Sequence, residues 1–296
     1  MNEPLNIKTY EPTKPIKAVI QIVHGAGEHA ARYQNFIDYL VDEGFVVLIH
    51  THTGHGERMH YEDRIHFDNY QTLKNDVLKV KETINSRWPN EKHIVIAHSM
   101  GSFIVRSLMR EHKDMYDHYF LLGTAKLSKL SLRIGKAINW GLLKIKDHTH
   151  VSPFLNGLTD SGVKKMQKSG IINKRYEWLT SDAAMQKAYL NDPYTQKPFT
   201  IKARYELFKL LLEAESYKHM KSNASSHPIH LLCGEHDGLC DFGSSLKNLY
   251  NCLFQNGYTN VHFTVYPNAR HELLNENTRI KIYNDIIKHV NHYTLA

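Results

Sequence analysis

The sequence predicts an α/β domain: a mostly parallel sheet covered by helices on both faces, with an all-helical segment inserted late in the strand order. Three observations carry this. Short β-branched runs alternate with stretches of helical periodicity along most of the 296 residues. Strands separated by helices pair in parallel, and the helices then cover the sheet. The alternation stops between Leu127 and about Lys218, where helix-like pieces follow one another without strand signal. The length suits one large domain with room for such an insert.

In chain order, Lys17 to Val23 is the first strand, broken by His24-Gly25-Ala26-Gly27. Arg32 to Glu43 carries Tyr33, Phe36, Ile37 and Leu40 at helical spacing, and Gly44 ends it as a C′ glycine does. Phe45 to Ile49 is a second strand, and Thr51 to Glu57 a Gly/His loop. Tyr70 to Ser86 is a helix stopped before Pro89. His93 to Ala97, Tyr119 to Gly123, Ile229 to Cys233 and Val261 to Tyr266 are further strands. Gly101 to His112, Ser244 to Gln255 and Thr278 to Tyr293 are helices. Residues 1–126 and 200–296 are expected to form the core, and 127–199 a helical cap above the carboxyl edge of the sheet, where open α/β sheets place their ligands.

Composition narrows the class. An apolar fraction of 42% and a charged fraction of 23% exclude a disordered or fibrous chain. No apolar run approaches the roughly 20 residues of a membrane-spanning helix. The opening MNEPLNIKTY lacks the basic and apolar regions of a secretory signal. Three cysteines without regular spacing make no disulfide framework. A soluble, cytoplasmic protein is the expectation. The net charge of +7 is concentrated: from Lys126 to Lys174 there are ten Lys/Arg against Asp147 and Asp160. Basic residues there alternate with Leu, Ile and Trp140, the pattern of a helix that lies on an anionic lipid surface. Solvated cap surface is the plainer reading of the same pattern. No nucleic-acid-binding module is recognisable, and no nucleic-acid partner is expected.

The chemistry concentrates at Ala97-His98-Ser99-Met100-Gly101, between the strand HIVIA and the helix GSFIVRSLM. A serine on a sharp strand-to-helix turn, with small residues on either side, is how a nucleophile elbow exposes its hydroxyl. Such a hydroxyl needs a base to take its proton. His271 follows the last strand. The base needs an acid to fix its tautomer, and Asp237 follows the strand IHLLC, with Asp241 as the runner-up. The order Ser99, Asp237, His271 is that of the α/β-hydrolase fold. The developing oxyanion needs two donors: the backbone N–H of Met100, after the nucleophile, and that of Ala26, in the loop after the first strand. By position, His24, His98, Leu127, Trp140 and Leu143 are expected beside the substrate, with Ile138, Leu142 and Ile145 adding to an apolar acyl tunnel.

His24 to Tyr33 (HGAGEHAARY), Ala97 to Gly101 (AHSMG), Asp237 to Asp241 and Arg270-His271-Glu272 together resemble the monoacylglycerol lipase and lysophospholipase family of serine hydrolases. The resemblance covers most of the chain outside the cap. It implies cleavage of carboxylic esters that carry one acyl chain, without a cofactor or metal, and Ala26 and Met100 as oxyanion donors. Two departures stand out: Ala97 replaces the usual glycine, and Thr51-His52-Thr53-Gly54-His55-Gly56 replaces an Asp-containing loop.

Rival readings fit less well. His50-Thr51-His52-Thr53-Gly54-His55 has the histidine spacing of a metallo-β-lactamase-type zinc motif, but Gly54 stands where that motif needs aspartate. A peptidase or amidase on the same scaffold commonly needs acidic residues for a substrate amine, and this cap is basic. A non-catalytic ligand-binding homologue would have no need of an intact Ser-Asp-His set.

Overall fold

The computed structural model describes residues 5–112, 114–153, 155, 161–217 and 226–294. The end of the helix-like segment from Lys218 on, Asp160 of the basic segment and residues 1–4 of the opening lie outside the described residues.

Seven strands form one sheet in the order β1-β3-β2-β4-β5-β6-β7. They are β1 (Ile7–Tyr10), β2 (Ala18–Val23), β3 (Phe45–His50), β4 (His93–His98), β5 (His118–Leu122), β6 (Ile229–Gly234) and β7 (Val261–Tyr266). β1 pairs antiparallel with β3, Ile7 opposite His50, and every other pairing is parallel. Strands β2 to β6 are buried along their whole length. That is why they read as continuous apolar runs rather than as an alternation. β1 is an addition to the sequence reading: four half-buried residues, IKTY, give no periodicity to detect.

The helices cover both faces. On one side α1 (Gln34–Asp42) and α9 (Arg279–Thr294) pack Phe36, Ile37, Leu40, Ile282 and Tyr283 against Ile20, Ile22 and Phe120. On the other, α2 (Gln71–Arg87), α3 (Met100–Leu108) and α8 (Ser244–Gln255) pack Leu73, Val77, Ile104, Leu108, Leu246 and Leu249 against Val95, Leu121 and Leu231. Gly44 has φ +95°, the left-handed C′ position expected of it. α3 stops at Leu108, four residues short of the predicted end; Arg110 N–H bonds to Ser107 O, three residues back, as the last turn tightens.

Between β5 and β6 the described residues form α4 (Lys129–Leu142), α5 (Ser161–Lys168), a short 3-10 turn at Arg175–Trp178, α6 (Ala183–Asn191) and α7 (Ile201–Ala214). The chain order reverses between the neighbouring strands β2 and β4. The loops after these two strands therefore diverge and leave a crevice at the carboxyl edge.

Candidate active site

Ser99 is the residue between β4 and α3, at φ 49° and ψ −118°. The turn is tight because α3 starts against β2: a Cβ on Gly101 would lie 2.3 Å from Val23 O. Only a residue without a side chain fits there. Ala97, the departure from the usual glycine, is fully buried in β4 beside Val23 and is accommodated without any break in the ladder.

The loops after β6 and β7 bring the two partners in. His271 Nε2 is 2.9 Å from Ser99 Oγ, and His271 Nδ1 is 2.8 Å from Asp237 Oδ2. Asp237 is fully buried, and its Oδ1 accepts the Leu239 N–H at 2.8 Å. Burial alone would raise its carboxyl. The charge and hydrogen bond of His271, with the Cys240 and Leu239 donors, outweigh that and hold it below the usual range. Cys240 Sγ sits 3.1 Å from Asp237 Oδ2. Burial, Cys233 and the Asp237 charge push this thiol well above its ordinary value, so it is a packed donor, not a thiolate. Asp241 is exposed and paired with Lys165 at 2.6 Å, so of the two candidate acids Asp237 is the one that meets His271.

Ala26, Met100 and Ser99 line one cavity of about 410 Å³. Met100 begins α3, so its N–H has no partner within the helix. The Ala26 loop is pinned from behind by Glu28, whose Oε1 accepts from Gly25 N–H at 2.5 Å and from Tyr33 Oη at 2.9 Å. Arg32 bridges Glu28 and Glu272, at 3.0 and 2.6 Å. Sequence reasoning missed this buried network, although Glu28, Arg32 and Glu272 all lie inside the quoted motifs.

The cavity lining departs from expectation. Leu127 lines it, beside Phe103, Trp178, Phe199, Leu207 and Leu211. His24 and His98 do not. His24 is buried behind the loop: its Nε2 accepts the His52 N–H at 2.9 Å and its Nδ1 donates to Gly25 O at 2.7 Å. His98 turns away from the cavity, toward Glu28 Oε1 at 2.9 Å and His271 O at 3.3 Å. Both of those partners are acceptors, so both ring nitrogens donate. Burial lowers His98, but the Glu28 charge and hydrogen bond more than offset it, and the imidazolium is favoured. Trp140, Leu143, Ile138, Leu142 and Ile145 also fall outside the lining; Trp140 is 55% exposed and Ile145 74%. The reason lies in α4. Its Leu132 and Asn139 are buried, and Gly135, between them on the same face, meets Phe208 of α7, which leaves the Leu130, Ile134 and Ile138 stripe pointing outward.

Trp178 is the largest omission of the sequence reading. Its ring stacks on His271 with centroids 4.5 Å apart and planes 23° apart. RYEWL shows only as a helix-like fragment in sequence, and nothing local signals the contact.

His50, His52 and Asp76 bring three ligand atoms within 4.8 Å of one another. Asp76 Oδ2 is already taken by Thr53 and by Arg58 Nη1, each at 2.8 Å. The guanidinium opposes a second cation there, and the residues do not fit a metal. Among the described residues no helix is long and apolar enough to cross a membrane.

Strand order, the strand-turn-helix serine and the placement of acid and base on the loops after β6 and β7 are those of the α/β-hydrolase class. Within that class the chain belongs to the family described as Hydrolase_4, serine aminopeptidase, S33, whose model matches residues 14–278. It is similar to a monoglyceride lipase homolog of Monkeypox virus, 32% identical over 103 residues, which cover 35% of this chain and 37% of that protein. It is also similar to the monoglyceride lipase of Mus musculus, 29% identical over 139 residues, 45% of each chain. The chain thus spans about two fifths of the length of these curated relatives. Among solved structures, a thermostable carboxyl esterase from Bacillus coagulans in complex with glycerol superposes with TM-score 0.87 at 24% identity, over 99% of this chain and 96% of that one.

Proposed function

We propose that this protein is a serine hydrolase that cleaves carboxylic esters with a single acyl chain, of the monoacylglycerol or lysophospholipid kind, through an acyl-serine intermediate. The observation that carries the reading is the Ser99–His271–Asp237 chain of hydrogen bonds opening into a cavity lined by Phe103, Phe199, Leu207 and Leu211. Ser99 Oγ attacks the ester carbonyl while His271 Nε2 takes its proton. The Ala26 and Met100 N–H groups face the developing oxyanion. As the C–O bond to the alcohol breaks, His271 returns the proton to the leaving oxygen. Water, deprotonated by the same imidazole, then releases the acid. Asp237 stays ionised throughout, and Phe103, Phe199, Leu207 and Leu211 shelter the acyl chain. We take residues 127–199 as the cap that closes this chamber.

The family's description names an aminopeptidase. Among the described residues that line the cavity, Arg175, Lys197 and Arg204 are cationic and none is acidic. A substrate ammonium finds no carboxylate among them, which favours the ester over the amine. The outward apolar stripe of α4, interleaved with Lys129, Arg133 and Lys136, suits contact with an anionic lipid surface from which such substrates are drawn. Co-sedimentation with anionic but not neutral vesicles, lost in Ile134→Glu, is the expected result.

The test of the reaction is hydrolysis of p-nitrophenyl esters and monoacylglycerols of rising chain length by wild type and Ser99→Ala, with a chelator control. Chelator-insensitive activity that collapses in the variant supports the reading. An inactive wild type, or an active variant, contradicts it.

A further inference from the structure

The imidazole of His271 is held along its edge and covered on its face by different parts of the chain. The edge is held from the loops that follow the sheet strands: Nε2 faces Ser99 Oγ at 2.9 Å, and Nδ1 meets Asp237 Oδ2 at 2.8 Å. The face is covered by Trp178, from the 3-10 turn at Arg175–Trp178, with centroids 4.5 Å apart and planes 23° apart. The other ring that meets the imidazole among the described residues, His98, is tilted by 52° at 4.9 Å. His271 is buried, and Trp178 lines the cavity that holds Ser99. The backbone on either side of the stack is matched as well. Arg270 Nη1 donates to Glu177 O at 2.7 Å, the His271 N–H to Trp178 O at 3.4 Å and the Glu272 N–H to Leu179 O at 2.6 Å. Three consecutive residues at the end of the turn thus meet three consecutive residues of the loop that carries the base.

Hydrogen bonds at Nδ1 and Nε2 resist motion of the ring within its own plane and oppose rocking out of that plane only weakly. A flat side chain against the face supplies the missing restraint. We propose, resting on the serine mechanism above, that Trp178 is a positioning residue for the base: its indole keeps the imidazole in the plane that aims Nε2 at Ser99, and its π face attracts the positive charge that the ring carries after taking the Ser99 proton. Trp178 takes part in no bond change. The proton moves from Ser99 Oγ to His271 Nε2 as Oγ bonds the carbonyl carbon, and passes to the leaving oxygen as the C–O bond to the alcohol breaks. The imidazole is charged between these transfers and neutral before them. A cation within about 6 Å of an indole centroid, over its face, is attracted by the ring quadrupole, most strongly where water is excluded. The bound ester before reaction gains nothing from that attraction, so the effect falls on kcat and not on KM.

The experiment compares Trp178→Phe and Trp178→Leu with wild type on one alkyl ester. Both variants keep the backbone carbonyls that tether the turn. The expected result is a kcat about tenfold or more below wild type in Trp178→Leu, with KM less affected, and a kcat within about threefold of wild type in Trp178→Phe, which keeps a flat π face. Equal losses in the two variants would make Trp178 a space-filler, and a raised KM at unchanged kcat would make it a wall of the cavity. Either result overturns the proposal and leaves the ester reading intact. Two further arms need no ester. The rate at which an alkyl fluorophosphonate modifies Ser99 should fall about tenfold or more in Trp178→Leu and little in Trp178→Phe. In protein carrying isotopically labelled histidine, the His271 Cε1–H resonance, identified by its absence from His271→Asn, should move downfield in Trp178→Leu as the indole ring current is lost. An unaltered modification rate or an unmoved resonance overturns the proposal even where no ester is turned over.

Discussion

Ser99 is held where few side chains go. At φ 49° and ψ −118° its backbone costs of the order of 1–3 kcal/mol, and the packing of Gly101 on Val23 O keeps it there. The strain aims Oγ at His271. Asp237→Asn should keep the fold but lower kcat by about four orders of magnitude, because the amide stabilises the wrong imidazole tautomer. Steady-state kinetics on a short-chain ester, with circular dichroism to confirm folding, checks this; a loss below tenfold would contradict the assigned role. Gly123, at φ +57°, backs the same ring: a Cβ there would lie 2.9 Å from His271 Cε1. Gly123→Ala should therefore reduce kcat more than it raises KM, and an unaltered kcat would show that His271 is free to shift. At this scale the site is largely legible in sequence, because Ser99, Asp237 and His271 each follow a strand and sit in a recognisable order. His98 and His24 are illegible for the converse reason. A histidine beside a nucleophile looks like a substrate contact, and only the fold reveals that Glu28 and His52 claim their nitrogens.

At the scale of elements, the segment that precedes α4 and the segment that follows α7 meet at one buried junction. Arg106 of α3 donates to Ala125 O at 2.9 Å and to Glu215 Oε1 at 2.8 Å, and also meets Tyr217. Burial raises the Glu215 carboxyl, but Arg106 and Lys126 overcome this and keep it ionised. Arg106→Met would remove the fully buried partner of that carboxylate and leave it Lys126, Tyr217 and the Leu127 N–H, at a cost of about 3 kcal/mol. A fall in thermal midpoint of several degrees is expected by calorimetry; an unchanged midpoint would show that Glu215 protonates at no cost. A second tether joins the 3-10 turn at Arg175–Trp178 and the residues after it to the loop that carries His271. Arg270 Nη1 donates to Glu177 O at 2.7 Å and to Thr180 O at 3.0 Å, and the Glu272 N–H bonds to Leu179 O at 2.6 Å. The sequence shows strands and helices because their periodicity is local. It could not show which face of α4 is buried. That helix has an apolar stripe, which suggests a tunnel wall, yet it packs on α7 through Gly135 and Asn139 instead.

Across the whole molecule, the abundance of histidine has an energetic consequence. His24, His50, His52 and His55 form one fully buried cluster between β2, β3 and the loop that follows β3, with rings 4.1–6.1 Å apart. Burial pushes His50 and His55 down to about 4, and His24 and His52 lie well below their ordinary value for the same reason. Unfolding releases all four to a value near 6.5. Below that pH the unfolded chain binds more protons than the folded one, so stability falls as pH drops from about 6.5 toward 4. Each histidine contributes up to about 1.4 kcal/mol per pH unit across that window. His98 acts in the opposite sense: its raised value adds stability below about 6.5 that is lost as pH climbs through the folded value. Burial also lowers His66, His93, His118, His230 and His289, so the depressed histidines outnumber the one raised and predict a thermal midpoint that declines between pH 6.5 and 4. His50→Asn should flatten the decline; a midpoint that rises on acidification would contradict the neutral cluster.

The proposed serine mechanism requires that Ser99 become acylated. The measurement that bears on this most directly is intact-mass and peptide-mass analysis after treatment with an alkyl fluorophosphonate, with residual esterase activity followed in parallel. One adduct per chain is expected, on the peptide that holds Ser99, gained in step with the loss of activity and absent from Ser99→Ala. Full ester turnover with no adduct, or an adduct elsewhere that abolishes activity while Ser99 stays free, would contradict it.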